Sequence, residues 1–407
     1  MVKQSVLLTG ATGGMGQPTL KNMVEDLDKQ DIVILARKTE RDYEVLKPYE
    51  NIKGIEIIWG DLTDYNSVLK SVKDCDIVLH IAAFVSPAAD YNPELAMKIN
   101  YGSTKNIIKA IYENNQQDTT KFVYIGTVAE TGDRMPPIHR GRIGDPIKPS
   151  VFDYYAVSKV VAERLVIESG LKYWVSHRQT GIIGKPMSQI EDAIMFHNCF
   201  DNVLEYCSDR DSAIAMKNLC SYSYDKTLDE GFWGHIYNIG GGESCRIDTY
   251  NMYKIMYKEI GLTNLDYMLS PKKQATLNFH GQYYLDSDKL ESYLHFRKDS
   301  MQYFYDCYLE NLGYLRGLSF EELYKITGCQ FQPFNTIYQL YDDLIRGRIA
   351  KATDFLMIPE YLMYKLTGKK AKEYTNAVTT GLVNATKGEY ESYIINSLGL
   401  LNSFFRN

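Results

Sequence analysis

The run Val6-Leu7-Leu8-Thr9-Gly10-Ala11-Thr12-Gly13-Gly14-Met15-Gly16 decides how the rest of the chain is read. A short apolar and β-branched strand ends at Thr9, glycine recurs at 10, 13 and 16, and residues 17–27 follow with helical spacing. Gly10 permits a tight turn, Gly13 lets backbone approach a pyrophosphate, and Gly16 allows close helix–sheet packing. The helix N-terminus then faces the phosphates. In a chain with 29 glycines the string G-x-x-G-x-x-G means little alone. Between a first strand and a first helix it points to dinucleotide binding, with Gly10, Thr12, Gly13, Gly14, Met15 and Gly16 as cofactor-binding candidates.

Outward from this loop, short β-branched runs alternate with helical stretches as far as about residue 180. Strands are predicted at 5–9, 31–36, 55–59, 76–81, 121–125 and 173–178, with a further one at 235–239. Helices are predicted at 17–27, 65–72, 94–113 and 155–168. Strands this short and continuously apolar are covered on both faces, so the fold class is α/β, a Rossmann-type, doubly wound parallel sheet. The second strand bears on the choice of dinucleotide. It ends Ile34-Leu35-Ala36-Arg37-Lys38, with no acid before Glu40. A carboxylate there would bind a ribose 2′-hydroxyl, whereas a guanidinium pairs with a 2′-phosphate, so Arg37 predicts NADP over NAD.

Composition bounds the rest. The 407 residues carry 45 Lys and Arg against 51 Asp and Glu, a net charge of −6 that argues against a nucleic-acid or anionic-membrane binder. No apolar run is long enough for a membrane helix, and the N-terminal residues lack the pattern of a secretory signal. The seven cysteines form no C-x-x-C pair, which fits reduced core thiols and a cytoplasmic location. No His/Cys/Asp/Glu grouping has metal-ligand spacing; His197 near Cys199 reads as packing, and no metal is predicted. There is no Gly-x-Ser-x-Gly elbow.

Beyond the glycine loop come Gly60-Asp61-Leu62 after the third strand, His80-Ile81-Ala82-Ala83 after the fourth, and Asn100 on the next helix. Thr127 follows the fifth strand, then Tyr155-x-x-x-Lys159, Arg178-x-x-x-x-x-Gly184 and Tyr237-Asn238-Ile239-Gly240-Gly241-Gly242. In this order the motifs resemble the extended short-chain dehydrogenase/reductase family over about residues 1–310. A Tyr-x-x-x-Lys pair also occurs at 43/47, 49/53, 101/105, 250/254 and 361/365, and only Tyr155/Lys159 follows a strand ending in a hydroxyl residue. One helical turn puts both on one face. The resemblance implies that Tyr155 is the general acid/base, that Lys159 binds ribose and lowers the Tyr pKa, and that Thr127 holds the reacting oxygen. It also implies that Asp61 and Leu62 bracket the adenine and that Ala82, Ala83 and Asn100 line the cofactor site. Family dehydratases follow the Thr with Asp-Glu; here Val128-Ala129 follow, which leaves reductases and epimerases. Between Thr127 and Tyr155, Arg134, His139, Arg140 and Arg142 form a charged loop that is either a solvated surface or an anion site.

Near residues 317–322 the texture changes: 321–407 carry net +1 and residues 1–320 carry −7. The tail looks helical. Its strings Gly328-Cys329-Gln330-Phe331-Gln332-Pro333-Phe334-Asn335, Phe355-Leu356-Met357-Ile358-Pro359-Glu360-Tyr361 and Glu373-Tyr374-Thr375-Asn376 resemble rhamnulokinase and its FGGY carbohydrate-kinase relatives. A kinase's phosphate loop, catalytic Asp and second half are missing, so kinase activity is not expected. The predicted division is a dinucleotide-binding domain over 1–320, with a substrate region at about 185–310, and a helical segment over 321–407. The expected activity is hydride transfer between nicotinamide and a carbonyl or alcohol. An NAD-dependent sugar-nucleotide epimerase is the alternative, and a non-catalytic dinucleotide sensor or scaffold is a third reading. The expected partner is a small molecule, anionic or a sugar derivative, and a homodimer is compatible with the sequence.

Overall fold

Seven parallel strands form the main sheet, seen here in a computed structural model that describes residues 2–132, 134, 140–188, 198–259, 270–275, 281–311, 318, 320–330, 335–345, 347–349 and 351–405. The strands are β1 (Gln4–Thr9), β2 (Gln30–Ala36), β3 (Ile55–Trp59), β4 (Ile77–His80), β5 (Lys121–Thr127), β6 (Tyr173–Gln179) and β7 (His235–Ile239). Their order across the sheet is β7-β6-β5-β4-β1-β2-β3, with every pairing parallel. The chain therefore leaves β1 in opposite directions on its two passes, and the crevice at the carboxyl ends of β1 and β4 is where such a sheet takes a ligand.

Alternation within each strand fills two cores. Val6, Leu8, Ile32, Ile34, Leu79, Val123 and Val175 face one way, against helices α1 (Gly16–Met23) and α6 (Asp209–Tyr224). Leu7, Leu35, Val78, Phe122 and Tyr124 face the other, against α3 (Tyr65–Val72), α4 (Gly102–Glu113) and α5 (Tyr154–Ile167). The expected doubly wound sheet is the one observed. Helix α6 was not foreseen, nor was α2 (Glu40–Leu46), capped by the Thr39 hydroxyl on the Asp42 N–H at 3.1 Å. The expected helix over 94–113 contains a π-type turn at Met97–Tyr101, which places Asn100 out of ordinary helical phase.

The chain divides into two compact units, Met1–Met252 with Asp266–Tyr305, and Tyr253–Leu265 with Asp306–Asn407. The first holds the sheet. The second is largely helical, with α7 (Phe320–Thr327), α8 (Thr336–Ile345), α9 (Ile358–Thr367) and α10 (Ser392–Leu398). It has its own apolar core, built on Leu323, Ile337, Leu382, Ile394, Leu398 and Phe404. No described helix is long and apolar enough to cross a membrane. Among the described residues no group of three or more His, Cys, Asp or Glu could hold a metal. All seven cysteines are free thiols, six of them buried.

Candidate active site

The first unit carries a cleft of about 810 Å³ above the carboxyl ends of β1, β2, β4, β5 and β6. Its floor at β1 is the glycine loop. Gly10 has φ +73°, and a Cβ there would lie 2.7 Å from the Ala82 nitrogen; a Cβ on Gly16 would lie 1.9 Å from the Gly10 carbonyl oxygen. Neither position accepts a side chain, so backbone alone lines this end. The Gly13 N–H donates to the Gly10 carbonyl at 3.0 Å and closes the turn into α1. Behind it, the Thr9 hydroxyl accepts from the Ala82 N–H at 3.2 Å and meets His80 Nδ1 at 3.0 Å, tying the ends of β1 and β4 together. This cradle of bare backbone at a helix N-terminus fits the pyrophosphate of a dinucleotide. Thr12, Gly14, Met15, Asp61, Leu62, Ala82 and Ala83 line the same cleft.

The adenosine end holds more charge than the sequence reading assigned to it. Arg37 lines it, and so does Arg41, one turn into α2, whose guanidinium reaches the Thr12 carbonyl at 3.4 Å. Asp42 also lines it. Its carboxylate pairs with Arg37 at 3.6 Å, is 2% exposed, and keeps one oxygen without a hydrogen-bond partner. The reading of the second strand's end stops at Arg37 and does not reach this acid. The α2 turn buries Asp42 and leaves Glu40 exposed.

Further along the cleft, Thr127, Tyr155 and Lys159 line one wall. Thr127 closes β5 and caps the short helical turn Val128–Glu130: its hydroxyl accepts from the Ala129 N–H at 3.2 Å, and Glu130 accepts from the Thr127 N–H at 3.0 Å. Tyr155 opens the second position of α5, which Asp153 caps by accepting the Ala156 N–H at 2.7 Å. Burial pushes the Tyr155 phenol well above its ordinary value, opposed by a hydrogen bond from Thr127, so the phenol holds its proton at neutral pH. Lys159 is 3% exposed; its ammonium donates to the Ile125 carbonyl at 2.6 Å and lies 4.1 Å from the centre of the Tyr124 ring. Burial lowers it to about 8, while Glu130 and Glu163 act in the opposite sense. Lys159 is not among the groups that shift Tyr155 in this arrangement.

Asn100 is not part of the cleft lining. Its amide clamps the Phe84 backbone, accepting from the N–H at 2.7 Å and donating to the carbonyl at 2.9 Å, and it donates to Ser158 at 2.8 Å. It positions Phe84, which lines the cleft, and does so from behind the wall. Sequence reasoning passed over a second support, the carboxylate–guanidinium cluster under Thr127. Arg178 binds Glu163 at 2.5 Å and Glu130 at 3.3 Å, with all three nearly inaccessible to solvent. Burial and Glu163 raise Glu130 well above the usual carboxylate range against the pull of Arg178. Burial works the same way on Glu163, but its hydrogen bond from Arg178 holds it below its ordinary value. Gln179, Thr180 and Asp209 are further cleft residues that no motif announced. In the charged loop, Arg134 and Arg142 face Asp145 at 4.0 and 3.7 Å; His139 lies outside the described residues.

With this geometry in place, the comparisons with known proteins sort the chain into two parts. Residues 7–176 match the 3-beta hydroxysteroid dehydrogenase/isomerase family, and residues 311–407 match the N-terminal domain of the FGGY family of carbohydrate kinases. Among solved structures, the first part shares its fold with a dTDP-glucose 4,6-dehydratase of Streptomyces venezuelae solved with NAD. That match has TM-score 0.59 and 18% identity over 76% of this chain and 98% of that one. It also shares its fold with the UDP-Glc/GlcNAc 4-epimerase of Campylobacter jejuni, at TM-score 0.56 and 14% identity over 75% and 97% of the two chains. The tail is similar to rhamnulokinases: 51% identical over 92 residues to that of Halalkalibacterium halodurans, and 43% over 88 residues to that of Bacillus subtilis. The chain spans about a fifth of the length of these curated relatives.

Proposed function

We propose that the first unit is an NADP-dependent oxidoreductase that moves hydride between nicotinamide and a small carbonyl or alcohol substrate, with Tyr155 as general acid/base. The observation that carries this reading is the meeting of Thr127, Tyr155 and Lys159 in the one cleft whose floor is the glycine loop. The bound cofactor supplies or accepts the hydride at nicotinamide C4. In the reducing direction the Tyr155 hydroxyl, protonated at neutral pH, gives its proton to the substrate oxygen as charge gathers there. Thr127 holds that oxygen, and the capping turn that Glu130 closes keeps Thr127 in place. Lys159, buried and drawn toward its charged form by Glu130 and Glu163, supplies a cation beside the reacting end. Arg37 and Arg41 supply two guanidinium groups for a 2′-phosphate. Of the proposed substrate region at about 185–310, the stretches up to Met252 and Asp266–Tyr305 belong to this unit, and Tyr253–Leu265 belongs to the second.

A second reading, an NAD-dependent epimerase, is favoured by Asp42. A buried carboxylate with an unpartnered oxygen at the adenosine end suits a ribose hydroxyl, and the dehydratase of similar fold was solved with NAD. The two readings separate on cofactor exchange. A reductase takes up NADPH from solution, and an epimerase purifies with NAD that dialysis does not remove. Spectroscopy of the protein as purified, followed by turnover of a carbonyl panel with NADPH, decides between them. Retained NAD with no NADPH-dependent turnover would sink the primary reading.

A further inference from the structure

We propose that the substrate of this cleft is uncharged and that Gln179 is the side chain that reads it. The inference rests on the oxidoreductase reading and concerns the substrate half of the same site.

Gln179 ends β6 directly opposite Thr127 in the parallel β5–β6 pairing. Paired residues of neighbouring strands project from the same face, roughly 4.8 Å apart. The Gln179 amide therefore stands beside the hydroxyl assigned to the reacting oxygen. It lines the cleft, is 6% exposed, and neither its oxygen nor its nitrogen has a hydrogen-bond partner among the described residues. A buried amide with its donors and acceptor all unmet is costly unless a ligand meets them. The group that satisfies it offers both an acceptor and a donor, as a neutral hydroxyl next to a carbonyl does.

The charged groups placed closest to Gln179 in the fold disfavour a strong anion there. Thr180, Ile182, Met187 and Asp209 complete this end, and the acid there is Asp209, at the start of α6. That helix terminus is already met by Ser208 as cap and by Asp209 and Asp211 in its first turn. Four arginines of this part of the unit are paired with carboxylates: Arg178 with Glu163 and Glu130, Arg210 with Asp299, Arg246 with Glu205, and Arg297 with Asp288. Lys159 is turned to the Ile125 carbonyl, and Lys98 lines the cleft beside Leu95, Ile99 and Thr63, away from Gln179 in the sequence of the lining. A phosphate or carboxylate seated here would face Asp209 with no guanidinium to balance it.

The test uses the full chain saturated with NADPH and pairs of carbonyl compounds matched in skeleton, one neutral and one bearing a carboxylate or phosphate, together with a sugar nucleotide. The neutral member is expected to show at least about tenfold higher kcat/KM. Gln179→Leu is expected to raise its KM about tenfold with the NADPH affinity unchanged. Gln179→Arg is expected to shrink or invert the preference. Faster turnover of the charged member or of the sugar nucleotide by the parent chain overturns the proposal, as does an unaltered KM in Gln179→Leu. Where no compound is turned over, the oxidoreductase reading fails. The preference is then read from calorimetric binding of the same compounds to the NADPH complex: tighter binding of the neutral member upholds it, and tighter binding of the charged member, or binding of neither, overturns it.

Discussion

The two units treat their buried polar atoms in opposite ways. In the first, two groups that line the cleft stop short of satisfaction: one Asp42 oxygen and the whole Gln179 amide lack hydrogen-bond partners among the described residues. In the second, comparable groups are used up by the fold itself. Glu360 accepts from the N–H groups of Met357 and Glu373, both at 2.8 Å, and Asn335 donates to the Thr379 carbonyl at 2.9 Å. The Tyr390 hydroxyl is the one unpartnered buried side-chain atom of that unit among the described residues. Both units have an apolar core, so a core alone does not separate them. What separates them is polar groups held out of water and left for a ligand, which cost stability and belong at sites of chemistry. The tail, matching about a fifth of the length of a rhamnulokinase, has the packing of a folded piece.

The sharpest way to break that contrast is to make one change in both units. Tyr155→Phe is expected to cut turnover by about 10²–10⁴-fold, with NADPH affinity and melting temperature unchanged. Tyr361→Phe, in a helix with the same Tyr-x-x-x-Lys spacing, is expected to change none of these. Steady-state kinetics and calorimetry on the two variants check it; equal effects would erase the distinction.

Core damage confined to the tail comes next. Ile394 is fully buried in the second unit's core, and Ile394→Ala is expected to destabilise that unit by about 2–5 kcal/mol. Urea unfolding should register the loss while kcat/KM at low denaturant stays at the parent value. A parallel fall in kcat/KM would tie the tail to catalysis.

At the cofactor end, Arg37→Ala combined with Arg41→Ala is expected to weaken NADPH binding by about tenfold to a hundredfold and to leave NADH unaffected. Equal losses for both cofactors would take the 2′-phosphate away from these residues and leave Asp42 as the reader.

The smallest effect is one of pH. Burial lowers His177 to about 3, and neither ring nitrogen has a hydrogen-bond partner where it packs edge-on against the stacked rings of Phe232 and Tyr237. Between about pH 6.5 and 3 the unfolded chain binds a proton that the folded chain refuses, so His177 subtracts stability as pH falls. The loss approaches about 1.4 kcal/mol per pH unit. His177→Phe is expected to lose less stability than the parent on moving from pH 7 to 5, as measured by denaturant titration. Parallel curves would mean the ring finds a proton acceptor.

Much of this was legible in the sequence because it is local. The strands at 55–59 and 235–239 and the helix at 65–72 were placed to the residue, since continuous apolar runs and a clean helical stripe leave little freedom. The glycine loop and Tyr155/Lys159 were legible for the same reason, each being one turn of backbone with fixed chemistry. What escaped depends on pairing across the sheet. Gln179 matters because register sets it beside Thr127, 52 positions away in sequence. Glu130 reads as an ordinary loop acid until Arg178 and Glu163 close around it. Asp42 was missed because only the cap at Thr39 settles which acid α2 turns inward. Helix α6 begins Asp-Arg-Asp-Ser and continues through Asn218, Ser221 and Ser223, a composition too polar to announce a helix packed on the sheet.

The most direct test of the central claim is a calorimetric titration of the cofactor-free protein with NADPH and, separately, NADH. The account expects one dinucleotide per chain, with NADPH bound more tightly. Binding of neither would contradict it, because the glycine loop would then be a structural turn and the cleft above it no site for hydride chemistry.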